Sequence, residues 1–316
     1  MIAEVQEWLI EWYRREARDL PWRRTHDPYH ILVSEVMLQQ TQVERVIPYY
    51  ERFLARFPTI ESLAQASPAE VIRLWGGLGY NRRAVYLWRA ARAVMEQYGG
   101  SIPKDRRELQ RLPGIGRYTA GAVLCFGFGE PVAFWDTNIA RVLTRIFLGP
   151  NARPTSQELD QLAERVLPVD RAYEWNQALM ELGARVCLAR RPRCGDCPVH
   201  ELCRSVGTIG KPRRRSEQFT GSRRYYRGRI IEALRGRWGG MRLDELGWAV
   251  REDYTPAHRA WLERLVTDLA REGLVEAAEE RGEYVVRLPG GGETGDSCGE
   301  WDERAAGGVK VGPHSA

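Results

Sequence analysis

Four cysteines, Cys187, Cys194, Cys197 and Cys203, follow one another in the spacing C-x6-C-x2-C-x5-C. Four thiolates this close in sequence can close around one metal centre, and such a centre pins the loop that bears it whatever apolar core the loop brings. The rest of the chain favours that use of the cysteines over disulfides. Met1 to Arg18 mixes charges, has no apolar centre of the signal-peptide kind, and sets Trp8, Leu9, Trp12 and Tyr13 at helical spacing. No apolar run approaches the length that a bilayer requires. A cytoplasmic location is therefore expected, where thiols stay reduced. Zinc and iron–sulfur readings both remain open on spacing alone. Zinc sites usually present two short knuckles and only one C-x2-C occurs here, while uneven all-thiolate ligation suits an iron–sulfur cube equally well. Cys125 lies in an apolar run and Cys298 in a Gly-rich terminus, so neither is expected to be a ligand.

Helical periodicity dominates residues 1–208, and no strand alternation of any length occurs there. Ser67-Pro68-Ala69-Glu70 and Thr155 to Glu158 read as capping boxes that open helices with Val71, Leu74 and Trp75, and with Leu159, Leu162 and Val166, turned inward. Val43, Val46, Ile47, Tyr50, Phe53 and Leu54 keep the helical period past Pro48, which should kink or bound that helix. Residues 209–221 lose the period and read as a basic linker. Residues 222–290 give helices near 224–236, 242–251 and 256–273, then strand-like alternation from Leu274 to Leu288, which together resemble a winged helix. Residues 291–316 read as a disordered tail. The expected fold is mainly α, with a small α+β C-terminal domain and no internal repeat.

Lys plus Arg outnumber Asp plus Glu by 47 to 42, a net charge of +5 that suggests a polyanionic partner without establishing one. The clustering says more. Arg190, Arg191 and Arg193 lie between the first two cysteines of the cluster, where a clamped loop of guanidinium groups would suit phosphates. Leu112-Pro113-Gly114-Ile115-Gly116 interrupts two helical stretches. Gly114 and Gly116 permit close backbone approach, and the helix that follows offers free N–H groups to an anion. Two carboxylates stand out by context: Glu35 in Ser34-Glu35-Val36-Met37-Leu38-Gln39-Gln40-Thr41-Gln42, and Asp136 in Trp135-Asp136-Thr137-Asn138. The plain reading of Asp136 is a helix N-cap, and that of Glu35 a half-exposed helical carboxylate.

The segment S-E-V-M-L-Q-Q-T-Q-V resembles the signature of the MutY adenine DNA glycosylases, within the helix-hairpin-helix glycosylase superfamily. The likeness runs in family order through Trp75-Gly76-Gly77-Leu78-Gly79-Tyr80, Leu112 to Ala122, Asp136-x-Asn138 and the four cysteines, over roughly residues 5 to 205. It implies a [4Fe–4S] cluster on Cys187, Cys194, Cys197 and Cys203. It also implies duplex DNA with a mispaired or damaged base as the partner, and a monomer acting in base excision repair. Glu35 would be the general acid that protonates the flipped adenine, and Asp136 would stabilise the cationic sugar, with Tyr118 and Asn138 in support. Gln40 and Tyr80 would wedge into the duplex, with Thr41 and Leu78 near the opposite base. Bifunctional lyases of the superfamily carry a Schiff-base Lys where Tyr118 stands, so only base removal is expected.

Two positions depart from the family pattern: Thr137 replaces a usual Gly, and Asn81 a second aromatic. Residues 217–290 do not resemble the Nudix-like domain of the long MutY proteins, but look like the tail of a shorter branch. A thymine or uracil glycosylase on the same fold is the nearest rival, although such relatives typically lack the equivalent of Glu35. A non-catalytic DNA-binding regulator is the rival from another class.

Overall fold

The computed structural model describes residues 1–208, 218–280 and 282–291. Most of the expected linker, and the tail beyond 291, lie outside the described residues. Helix α1 (Ile2–Glu16) packs on α11 (Ala172–Arg185), which joins the two ends of the N-terminal domain. Helix α2 (Pro28–Leu38) opens on Asp27, whose side chain accepts from the Tyr29 and His30 amides, with Pro28 in the first turn. From Tyr29 to Met37 it is apolar on almost every face, so it has no solvent side. It is buried against α3 (Val43–Arg56), α6 (Arg82–Tyr98), α8 (Arg117–Ala122) and the turn after α8. That burial takes Glu35 with it, a deeper place than a half-exposed carboxylate.

Helix α3 runs through Pro48 instead of ending there. Its buried face, Val46, Tyr50 and Phe53, spans the proline on both sides and holds the helix together across the missing hydrogen bond. Helix α4 (Ile60–Gln65) leads to α5 (Pro68–Leu74), where Ser67 caps the Glu70 amide at 3.2 Å. The Glu70 carboxylate pairs with Arg56. In α10 (Ser156–Arg165) the reciprocal box of Thr155 and Glu158 is complete. Helix α7 (Arg106–Arg111) and α8 flank the Gly-rich hairpin. Helix α8 and α9 (Thr137–Leu143) each run on into a π turn, at Val123–Gly127 and Thr144–Leu148.

After residue 221, α12 (Arg223–Arg235), α13 (Leu243–Val250) and α14 (Arg259–Arg271) match the three expected helices. Strands β1 (Met241–Arg242), β2 (Glu276–Glu280) and β3 (Glu283–Arg287) form an antiparallel sheet in the order β1-β3-β2, with Met241 opposite Val286 and Glu280 opposite Glu283. Strand β1 is two residues long, too short for alternation to register in sequence. This unit has its own core around Ile230, Leu234, Leu246, Leu262, Val266 and Val286, and the same core takes in Ala69, Ile72 and Val85 from α5 and α6. The C-terminal unit is thus docked on the first domain, and the Pro289 carbonyl accepts from the Ala69 amide at 2.9 Å. No helix among the described residues is long and apolar enough to cross a membrane.

Candidate active site

Glu35 is 3% exposed, and its Oε2 has no hydrogen-bond partner. Burial pushes its carboxyl up to about 7, against the lowering effect of the nearby Tyr118 phenol, and the Asp136 carboxylate adds to the rise. A carboxyl in this position keeps its proton near neutrality. Burial, with the charges of Glu35 and Asp136, also holds the Tyr118 phenol well above its ordinary range, so it stays a neutral hydroxyl.

Asp136 is met by three donors. Its Oδ1 accepts from the amides of Asn138 at 2.9 Å and Ile139 at 2.8 Å, and its Oδ2 from Asn138 Nδ2 at 3.0 Å. It therefore is an N-cap, and the cap is also what aims the carboxylate. Thr137 sits exposed in the first turn of α9 and is not among the positive-φ residues, so this position does not require the glycine that the family usually carries.

Three residues that the sequence reading passed over hold these groups. Asp160 on α10 accepts from Trp135 Nε1 at 2.9 Å and from Arg117 Nη2 at 2.7 Å, so one carboxylate fixes the residues immediately before Asp136 and before Tyr118. Arg141 donates to Asn138 Oδ1 at 2.9 Å and to the Cys187 and Gly183 carbonyls at 2.9 and 2.8 Å. Arg83, 8% exposed, donates to the carbonyls of Val36, Met37 and Gln39 at 2.8, 2.8 and 2.6 Å, and to Thr41 Oγ1 at 3.0 Å. Burial pulls its guanidinium down to about 10. A signal for Arg83 was present: it falls in helical phase with Leu87, Ala90 and Val94, an arginine on a core face.

Arg83 joins two exposed loop tips. Its guanidinium lies 5.4 Å from the ring of Tyr80. Gln40 at φ +56° and Tyr80 at φ +49° are the only non-glycine residues with positive φ among those described. A side chain in that region costs on the order of 1–3 kcal/mol, and such strain collects at functional sites. Tyr80 is 55% exposed, whereas Leu78 is buried in the core and Thr41 is half-buried against Arg83. In the hairpin, Gly114 has φ +78°, and a Cβ there would meet Tyr86 Cβ at 2.7 Å. Gly116 heads α8 with open space before it.

All four cysteines of the loop, Cys187, Cys194, Cys197 and Cys203, line one cavity with Arg145, Ile146, Leu182 and Val206. Polar hydrogens already point at the sulfurs: Arg145 Nη1 on Cys187 at 3.4 Å, the Ser205 amide on Cys203 at 3.4 Å and the Gly207 amide on Cys194 at 3.5 Å. These donors suit thiolates. No group of three or more His, Cys, Asp or Glu among the described residues is arranged to hold a single metal ion. Four cysteine sulfurs on one cavity, three of them met by N–H donors, are the donor set that an iron–sulfur cluster takes. Arg190, Arg191 and Arg193 are exposed, and among the described residues none of them makes an ion pair.

Residues 33–168 match the family model of the HhH-GPD superfamily base excision DNA repair proteins, and residues 187–203 that of the iron–sulfur binding domain of endonuclease III. The adenine DNA glycosylase of Mycolicibacterium smegmatis is 43% identical over 291 residues, covering 91% of this chain and 97% of that one. The chain belongs to the adenine DNA glycosylase family. The human adenine DNA glycosylase is 46% identical over 219 residues, covering 65% of this chain but 40% of its own length. Among solved structures, a thermostable thymine-DNA glycosylase superposes with a TM-score of 0.60 at 33% identity, covering 64% of this chain and 94% of that one. Membership of this family brings the helix-hairpin-helix fold and a [4Fe–4S] cluster, and the iron–sulfur family match runs from Cys187 to Cys203. Cys187, Cys194, Cys197 and Cys203 would hold the cluster there, which would clamp the loop that carries Arg190, Arg191 and Arg193.

Proposed function

We propose that this chain is a monofunctional glycosylase that removes adenine paired with G or 8-oxoguanine in duplex DNA. The observation that carries the proposal is Glu35, a buried carboxyl with a free oxygen and a proton held near neutral pH, close enough to Asp136 for their charges to interact. Glu35 gives its proton to a ring nitrogen of the flipped adenine. The glycosidic bond then breaks, its electron pair leaving with the base, and positive charge develops on the sugar. The Asp136 carboxylate, kept in place by the α9 amides and Asn138, faces that charge. Water adds to the sugar carbon and Glu35 takes back a proton. Tyr118 offers a phenol where a lyase has an amine, so the strand is left intact.

Gln40 and Tyr80, on strained tips tied together by Arg83, serve as wedges that offset the unstacking cost of roughly a few kcal/mol. The amides after Gly114 and Gly116, and the guanidinium groups of Arg190, Arg191 and Arg193, take backbone phosphates. Thr41 and Leu78 lie next to the tips, on the side of the opposite base; Leu78 acts from beneath, through packing. One chain carries both carboxylates, both tips and the cluster loop, which supports action as a monomer, and the place of action is the cytoplasm. The alternative of a DNA-binding regulator finds little support in the C-terminal unit. The arginines of its sheet, Arg242 and Arg287, are paired with Glu283, Glu276 and Glu280, which leaves no surplus of positive charge there for phosphates.

Single-turnover excision from duplexes holding A·8-oxoG, A·G, T·G and U·G tests the proposal. Adenine release is expected to be far the fastest, with an abasic product that breaks only on alkali or heat and little borohydride-trapped adduct. Faster release of thymine or uracil would give the site to the pyrimidine glycosylases instead.

A further inference from the structure

Asn81 stands where the family usually has an aromatic, and its side chain is put to another use. It heads α6, a position where Asn ordinarily caps the helix, yet it makes no cap bond. Its Oδ1 instead accepts from Nη2 of Arg235 at 2.7 Å, the last residue of α12 in the C-terminal unit. The same guanidinium donates from Nε to the Ile72 carbonyl at 3.3 Å, pairs with Glu232, and is 13% exposed. A reciprocal contact runs the other way. Arg73 on α5 donates to the Arg235 carbonyl at 3.0 Å and stacks 3.6 Å over the Trp238 ring. Gly76 leaves the passage between them: a Cβ there would stand 3.0 Å from the Arg73 carbonyl and 3.2 Å from Arg235 Nε.

We propose that the C-terminal unit is a brace for the loop of residues 76–81, with Arg235 as the positioning residue that keeps Tyr80 presented. This rests on the reading of Tyr80 as a wedge. The loop holds a non-glycine residue at φ +49°, which it keeps only while its flanks are fixed. On the near flank, Trp75 Nε1 and Arg83 Nη2 donate to the Gly79 carbonyl at 3.1 and 3.4 Å, and Arg45 donates to that of Gly77. On the far flank the side-chain tie is Asn81 to Arg235. A charge-assisted, largely buried hydrogen bond of this kind corresponds to about a ten- to hundredfold change in the opening of the segment that it holds.

The test uses the full-length, iron-loaded protein. Hydrogen exchange followed by mass spectrometry, without DNA, reads residues 76–81 in the wild type and in Arg235→Ala, Arg235→Lys and Asn81→Ala. Exchange there should rise about ten- to hundredfold in both alanine variants and less in Arg235→Lys, with α2 and the cluster loop unchanged. Asn81→Ala leaves every residue of the second core in place, so it separates loss of the tie from loss of the fold. Unchanged exchange at 76–81 in Asn81→Ala overturns the brace. A second readout is the fluorescence of 2-aminopurine at the target position of a duplex, which reports unstacking. Arg235→Ala and Asn81→Ala should weaken unstacking more than duplex affinity. Tyr80→Ala should abolish unstacking with no change in the exchange of its neighbours. If Tyr80→Ala unstacks the base normally, the wedge reading fails and the brace loses its purpose. If only Tyr80→Ala has an effect, the brace alone fails.

Discussion

The surroundings of Glu35 and of Glu181 pose the same electrostatic problem and answer it in opposite ways. Both are buried helical glutamates, 3% and 0% exposed. Glu181 on α11 is met by Arg18 at 2.7 Å, Arg23 at 2.8 Å and Arg185 at 3.4 Å. Burial alone would raise its carboxyl, but hydrogen bonds and charge from Arg18 and Arg23 carry it below its ordinary value. It is a structural anion that ties α11 to the N-terminal segment. Glu35 has no such arginine cage, keeps one oxygen free and holds its proton. Burial is common to both, so what separates a structural carboxylate from a proton donor is the partners that the fold supplies.

The strongest way to break this contrast is to neutralise each glutamate in turn. Glu35→Gln should cut single-turnover excision by at least about 10²–10⁴-fold, the usual reach of acid–base catalysis, while duplex affinity, and stability at acid pH, stay close to wild type. A fully active Glu35→Gln would move the acid elsewhere. Glu181→Ala should do the reverse, with a loss of about 3–5 kcal/mol of stability in denaturant titrations as three arginines lose their anion. In conditions where the variant is folded, its excision rate should remain measurable. Near-native stability would show that the cage is dispensable.

The two groups should also pull stability in opposite directions with pH. The raised carboxyl of Glu35 contributes fully below its ordinary value of 4.5, and that contribution fades as pH climbs to about 7. The lowered carboxyl of Glu181 contributes fully above the ordinary range and loses its effect as pH falls. Urea midpoints of wild type and Glu35→Gln between pH 5 and about 8 should therefore converge at the acid end, and the wild type should gain least at the alkaline end. Excision should decline over the same interval as Glu35 gives up its proton. Parallel midpoints would mean that Glu35 titrates normally.

The smallest effects belong to charges with neither burial nor partner. Arg190→Ala and Arg193→Ala should each weaken duplex binding and lower its salt dependence by about one phosphate contact, with the excision rate of bound substrate unchanged. An unaltered salt slope would make the loop merely solvated.

Much of this layout was legible in the sequence because the motifs carry their own geometry. The cysteine spacing converged on one cavity, and the Gly114–Gly116 turn and the three C-terminal helices stand where period and punctuation put them. What the sequence hid were pairings distant along the chain. Nothing near Glu181 names Arg18, some 160 residues earlier, and nothing near Trp135 or Arg117 names Asp160. Those contacts follow from helix packing, which a local period cannot specify. The docking of the C-terminal unit was hidden for the same reason, since nothing beside Ala69, Ile72 and Val85 in the chain names the core that buries them.

The narrow passage at Gly76 bears on how variants of this chain should be judged. Replacing its hydrogen by a methyl changes no charge, touches neither carboxylate and lies outside the cluster loop, so a survey by polarity or by motif would pass it as silent. The added carbon would nonetheless press on Arg235 and on the Arg73 carbonyl. If the brace holds Tyr80 as proposed, such an allele is expected to be a hypomorph. The protein would accumulate, fold and carry its iron, and the cell would show the defect only as a higher rate of spontaneous mutation.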